Sequence, residues 1–456
     1  MKILSKILIL FLAIFLYSSC QKEVVKKVDF SNYNDDDPQT NTELDAWLKT
    51  TFLDEYNIDV VYRYNRYYHD AERNVTPIYV DKVKPAMTAV LESYILPYRK
   101  VAGETFIKRY VPKEWVLFGS PSLATDGTGV AGTAAAGRRV TLYSLNTQSP
   151  NFGVLVIHHE FTHILNQLVA IPTDFESISK ADYNADWAKI PADTAKKYGF
   201  VTSYAMGKYT EDYAEVAAHL LVKGQAWYDN YASGSSTLGK TKLKQKEANV
   251  VNYFTTGLKV DFRALQKEVQ EYMKRTAPTD NSLSIRPYVS SLYKTVTMNL
   301  SNSYYTKYGT SSAFSTIYNK MKLAILNYSS TAKYNMDYMQ IRFDNANTAT
   351  IRCAFTAAAG GTQYFADYTF AYTYNSTSGD LTFTKIDQAG TTGTYSNANL
   401  FINTFTNDVQ PFFTGKIFTA SWLNANVDPV DYNNLGAFYE KDNATNYWYG
   451  TLGQTL

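Results

Sequence analysis

Two histidines, His159 and His163, bracket a glutamate in the run His159-Glu160-Phe161-Thr162-His163. On a helix, residues four apart point within about 40° of each other, so both imidazoles can reach one cation while Glu160 projects to the same side. Zinc-assisted hydrolysis needs this set: nitrogens to hold the ion, and a carboxylate that is not a ligand to take a proton from the attacking water. Such a site also requires a third protein ligand and one position open to water. The chain holds five histidines in all. Of these, His158 adjoins the motif but points about 100° away, which makes it a packing residue.

The residues after His163 bear on the third ligand. A third histidine shortly downstream, preceded by a glycine, is excluded because Asn166 and Val169 occupy those places. A carboxylate on a second helix remains. Glu211-Asp212-Tyr213-Ala214-Glu215 begins such a helix, with Thr210 read as its cap and Gly224 as its end. Glu215 follows Glu211 by one turn and His219 by two. His219 is either a competing ligand or a packed or supporting histidine.

These residues must be positioned by elements. Ser149-Pro150 reads as a helix start, and Val154, Leu155, Phe161, Ile164, Leu165 and Leu168 mark a buried face, so the motif sits on a helix. Upstream, the patterning predicts helices over 42–56 and 85–96 and strands at 58–64, 115–118 and 139–145. After residue 281 charge thins out and short aromatic and Thr-rich runs alternate at 338–343, 364–374, 380–386 and 413–422. A helix over 313–327 precedes them. The fold class expected is therefore α+β, a helix-leaning domain at 42–278 followed by a mostly antiparallel β domain at 281–456, an accessory or binding module.

His159-Glu160-x-x-His163 with Ser203-Tyr204 and then Glu211-Asp212-Tyr213-Ala214-Glu215 resembles the gluzincin arrangement of lethal-factor-type metallopeptidases. Together with its N-terminal signal, described next, the chain more closely resembles the substrate-import-associated zinc metallohydrolase lipoproteins of Bacteroidetes. The resemblance covers about residues 45–278. It implies a zincin-like fold with Zn2+ on His159, His163 and Glu211, and Glu160 as general base. It implies further that Glu215 supports a ligand from behind and that Tyr204 reaches into the cleft, where it could donate to an oxyanion. Strand 139–145 fits the edge strand on which such enzymes bind an extended peptide. A genomic neighbour of the SusC/SusD-type TonB-dependent uptake class is also implied.

The first twenty residues have the layout of a secretory signal: Lys2 and Lys6, an apolar run over 7–16, then Tyr17-Ser18-Ser19-Cys20. The run is too short to span a membrane. Small residues before a cysteine resemble a bacterial lipobox, so Cys20 is expected to carry lipid and anchor the chain at the outer membrane or cell surface. The alternative is a cut nearby with Cys20 unmodified. Residues 21–41 read as a flexible tether. Cys353 is the one other cysteine and reads as a core residue of a strand.

Two further motifs fail on context. Gly234-Ser235-Ser236-Thr237-Leu238-Gly239-Lys240-Thr241 matches a phosphate loop, but it lacks the buried strand that must precede one. Gly127-x-Gly129-x-x-Gly132 leaves no room for the helix of a dinucleotide site and reads as a loop over the cleft. Lys240, Lys242, Lys244 and Lys246 read as a solvated helix start. A net charge of +2 gives no reason to expect nucleic acid, and no nucleotide is expected. The reading that follows is a zinc-dependent peptidase acting on peptides or glycoproteins at the cell envelope. The alternative is a non-catalytic substrate-binding or adhesin lipoprotein with a structural or decayed zinc site.

Overall fold

The computed structural model describes residues 42–70, 72–123, 129–130, 132–135, 138–149, 151–357 and 361–456. The signal, Cys20, the tether and Gly127 lie outside the described residues, as does Pro150. The chain divides into two units, Met1–Leu48 and Lys49–Leu456. In the first, helix α1 (Glu43–Leu48) is closed by a reciprocal cap: the Thr42 N–H donates to Asp45 Oδ2 at 2.9 Å and the Asp45 N–H to Thr42 Oγ1 at 3.3 Å.

The second unit opens with helical turns at Lys49–Leu53 and Asp54–Tyr56, ended by Asn57 in the left-handed region (φ 54°). Strand β1 (Asp59–Val61) follows. Helix α2 (Val80–Val90) runs through a π-helical turn, Leu91–Ile95, into α3 (Leu96–Ala102). The predicted start at Pro85 is late, because α2 begins at Val80 and holds the proline inside. The buried stripe Val83, Ala86, Met87, Ala89 and Val90 outweighs the hydrogen bond that proline cannot make.

Five more strands precede the motif helix: β2 (Glu114–Leu117), β3 (Ser122–Leu123), β4 (Gly129–Val130), β5 (Gly132–Ala135) and β6 (Arg139–Leu142). The main sheet has the order β1-β2-β6-β5, with β1, β2 and β6 parallel and β5 antiparallel at the end. Two findings differ from the sequence reading. The strand at 139–142 lies inside the sheet, with β5 as its edge. Gly129 and Gly132 belong to short strands instead of an open loop; β4 pairs with β3, and β5 with β6. Alternation along one strand reveals a buried face but cannot reveal which neighbour joins its other side.

Helices α4 (Phe152–Leu168), α5 (Tyr209–Val222), α6 (Gln225–Ser233), α7 (Thr237–Asn252) and α8 (Phe262–Thr276) complete this part. The site rests on α4 and α5, which pack together. Neither has the predicted side-chain cap. Asn151 precedes α4 and Lys208 precedes α5, so Thr210 falls inside the first turn of α5. The end of α5 is sealed by α8. Gln266 Nε2 donates to the Leu220 carbonyl at 2.6 Å, and Gln270 Nε2 donates to those of Leu221 and Val222 at 2.9 and 2.7 Å. These carbonyls would otherwise lack partners in a buried helix end. Gly224 sits beyond them at φ +85°, and a Cβ there would lie 2.5 Å from Gln270 Oε1, so both backbone and space demand glycine.

From β7 (Thr295–Met298) the chain builds a closed antiparallel barrel with β8 (Asn335–Phe343), β9 (Thr348–Thr356), β10 (Gln363–Tyr374), β11 (Asp380–Lys385), β12 (Phe418–Trp422), β13 (Leu435–Glu440) and β14 (Asn443–Gly453). Strand β14 pairs with β7 to close it. Met339, Ile341, Cys353, Phe370 and Trp448 are fully buried in its core, and helix α9 (Ser312–Leu326) adds Phe314, Met321 and Ile325. An eight-stranded barrel of this width is filled by its own side chains. Barrel and helices also meet: Lys267 Nζ of α8 donates to Asn426 Oδ1 and to the Val427 carbonyl. Among the described residues no helix is long and apolar enough to cross a membrane.

Candidate metal centre

Helix α4 carries His159 and His163 on one face, with ring centroids 4.7 Å apart, and α5 presents Glu211 to both. Glu211 Oε2 lies 3.2 Å from His159 Nε2 and 3.0 Å from His163 Nε2, and the two nitrogens are 3.1 Å apart. The three side chains could hold a metal ion. A tetrahedral zinc with ligands at about 2.0–2.1 Å sets its donor atoms roughly 3.3–3.4 Å apart. The observed triangle is a few tenths of an ångström tighter, so the residues fit the ion with little movement.

Electrostatics follow from this convergence. Burial works against a charged Glu211, yet His159 and His163 prevail and hold its carboxyl far below the usual range. Burial likewise opposes a charged His159, but Glu211 and Glu215 raise its pKa to about 9. His159 thus sits among carboxylates that favour its charged form, and a dication bound there would take the place of that proton. Lys208 Nζ lies 3.4 Å from the other oxygen of Glu211.

Glu215 stands behind His159, its Oε1 2.9 Å from His159 Nδ1 in a bent geometry. Its second oxygen accepts from Thr202 Oγ1 at 2.8 Å, and that hydroxyl accepts from the Ala205 N–H at 3.1 Å. Thr202, unforeseen in the sequence, thus fixes the carboxylate that faces the ligand. Its signal was its place beside Ser203-Tyr204. His219 is not brought to the triangle. It is buried, with Nδ1 2.8 Å from the Glu215 carbonyl and its ring stacked on Trp227. His158 packs between Tyr94 and Tyr98 with Nε2 3.2 Å from the Ser93 carbonyl, and burial lowers its pKa to about 4.

Tyr204 opens a short 3-10 turn, its ring 5.9 Å from that of His159 and 4.9 Å from Trp187. Burial, followed by the charge of Glu211, pushes its phenol upward, so the hydroxyl stays protonated and able to donate. Glu160 is half-buried, and its charge is felt by both His159 and Tyr204.

Behind the site lies a buried group the sequence concealed. Lys246 and Asp212 are both fully buried, with Nζ 2.7 Å from Oδ2, and Tyr183 Oη donates to the same oxygen at 2.9 Å. Lys246 also donates to the Gly199 carbonyl and lies 3.8 Å from the Phe200 ring centroid. The lysine run is therefore only in part a solvated helix start: Lys240 and Lys244 are exposed, Lys244 pairing with Asp229 and Glu247, whereas half-buried Lys242 pairs with Asp182 and Lys246 points inward. The phosphate-loop pattern runs from the end of α6 into α7, helix to helix with no strand before it, and Ser236 Oγ caps α7 by accepting from the Gly239 N–H.

Residues 37–263 match a family model described as "putative zinc-binding metallo-peptidase". The crystal structure of a putative zinc-binding metallo-peptidase from Bacteroides caccae is similar to this chain at 31% sequence identity, covering 52% of this chain and 93% of that one, with a TM-score of 0.44. No curated protein matches the chain.

Proposed function

The chain belongs to this zinc-binding metallo-peptidase family, and from that premise we propose that it is a zinc-dependent peptidase with Glu160 as its general base. The observation that carries the reading is the convergence of His159, His163 and Glu211 from two helices on one point, beside Glu160. Bound zinc supplies Lewis acidity toward water and toward a carbonyl oxygen. His159, His163 and Glu211 hold the ion, and Glu215 and Thr202 keep the His159 ring turned toward it. Glu160 accepts the proton of the attacking water and passes it to the leaving amine. Tyr204 donates its hydroxyl hydrogen to the oxygen on which negative charge develops.

An extended substrate adds along β5, whose outer edge is unpaired among the described residues. Main-chain hydrogen bonds there bind a peptide without reading its sequence. The proposed setting is the cell envelope, where Cys20 is lipidated and the chain works beside a TonB-dependent importer on peptides or glycoproteins. That setting is supported by the signal-like first twenty residues.

The test combines metal analysis of the purified chain with cleavage of a mixed peptide library read by mass spectrometry. One zinc per chain is expected. Glu160→Gln should keep the metal and lose about 10²–10⁴-fold in rate, whereas His163→Ala should lose both. A chain without zinc, or a Glu160→Gln variant that cuts as fast as the parent, defeats the proposal.

A further inference from the structure

Between α8 and the loop after β12 lies a cavity of about 400 Å³ that peptide hydrolysis does not use. Its size falls in the range of ligand sites, roughly 300–1,000 Å³. Glu271 and Lys274 of α8 form one wall; Trp422, Asn424, Asp431 and Tyr432 form the other. The walls are held in place. Trp422 Nε1 donates to the Leu283 carbonyl at 3.0 Å, and Lys267 Nζ pins the loop through Asn426 and Val427.

Lys274 is the unusual group. Its Nζ donates to Tyr432 Oη at 2.6 Å and lies 4.2 and 5.4 Å from the ring centroids of Tyr432 and Trp422. An ammonium carries three hydrogens, and Tyr432 takes one. No described carboxylate lies within the 4.0 Å of an ion pair. Burial lowers its pKa to about 8, with Glu271 opposing. Lys274 thus presents donors into a space walled by two aromatic rings.

The other groups choose the ligand. Glu271 and Asp431 disfavour an anion, and Lys274 disfavours a cation. Together they suit a neutral molecule whose hydroxyls both donate and accept, and the Trp422 ring suits one with a flat, weakly polar face. We propose that this cavity binds a neutral saccharide, its ring stacked on Trp422 and its hydroxyls bridging Lys274 to Glu271 and Asp431. The site is independent of the metal centre, although α8 carries both the cavity wall and the glutamines that seal α5.

The experiment is saturation-transfer NMR on the zinc-loaded full chain with methyl glycosides of glucose, galactose, mannose and N-acetylglucosamine. Glucuronic acid and inorganic phosphate serve as acidic controls. At least one neutral glycoside should receive saturation, with binding unchanged after zinc is stripped by a chelator. Lys274→Met should weaken it about tenfold, the scale of a lost charged hydrogen bond. Trp422 also packs on the barrel core, so Asn424→Ala, at an exposed position, is the second variant; it should weaken binding several-fold at unchanged Tm. Saturation confined to glucuronic acid or phosphate, none with any neutral glycoside, or binding unchanged in both variants overturns the proposal.

Discussion

Glu215 reaches the proposed metal only through His159, so its effect should appear in affinity before it appears in rate. Glu215→Ala removes the acceptor behind Nδ1 and frees the ring to rotate. Zinc affinity should fall about 10–100-fold in a competition with a chelating dye. Thr202→Val should move it less, in the same direction, since it loosens only the carboxylate. Unchanged affinity in Glu215→Ala would leave that residue a packing role alone. Tyr204 predicts the opposite split. Tyr204→Phe keeps the ring against Trp187 and removes the donor, so zinc affinity should hold while kcat/KM falls about 10²–10³-fold. Equal rates would remove Tyr204 from the chemistry. Both residues stood in the sequence at motif distances, whereas Thr202 had only its place beside Ser203-Tyr204 to mark it, one threonine among many.

At the scale of elements, the buried Lys246–Asp212 pair joins α7 to the metal-bearing α5. Burial pushes the Asp212 carboxyl up and the Lys246 ammonium down, so each is costly without the other. Lys246→Met should therefore cost about 3–5 kcal/mol by urea unfolding, and adding Asp212→Leu should recover part of it. A loss under about 1 kcal/mol would show that water reaches the site. Gly224→Ala meets both a left-handed backbone and Gln270, and should destabilise by more than about 1 kcal/mol. These features divide by whether their cause is local. The motif helix, α5, Gly224 as its end and four of the eight barrel strands, β8, β10, β11 and β12, were readable, since periodicity and turn chemistry act over a few residues. The edge role of β5, the closure of β14 on β7 and the burial of Lys246 were not. Each depends on a partner distant in the chain, such as Asp212 for Lys246, and a lysine among lysines otherwise looks solvated.

For the molecule as a whole, the proposed lipidation of Cys20 would set where it works. A lysine-bearing start, an apolar run of about ten residues and Ser18-Ser19-Cys20 together predict removal of the leader and thioether attachment of diacylglycerol to the Cys20 sulfur. Two acyl chains suffice for stable anchoring, because each buried CH₂ contributes about 0.8 kcal/mol. Expressed with its own leader in a Gram-negative host, the chain should fractionate with membranes, and its N-terminal peptide should carry the lipid mass. Cys20→Ala should move the protein to the soluble fraction while leaving Tm and peptide cleavage intact, since none of the metal-centre residues lies before His159. Wild-type protein in the soluble fraction with an unmodified Cys20 would sever the link to the envelope and leave the zinc chemistry standing alone.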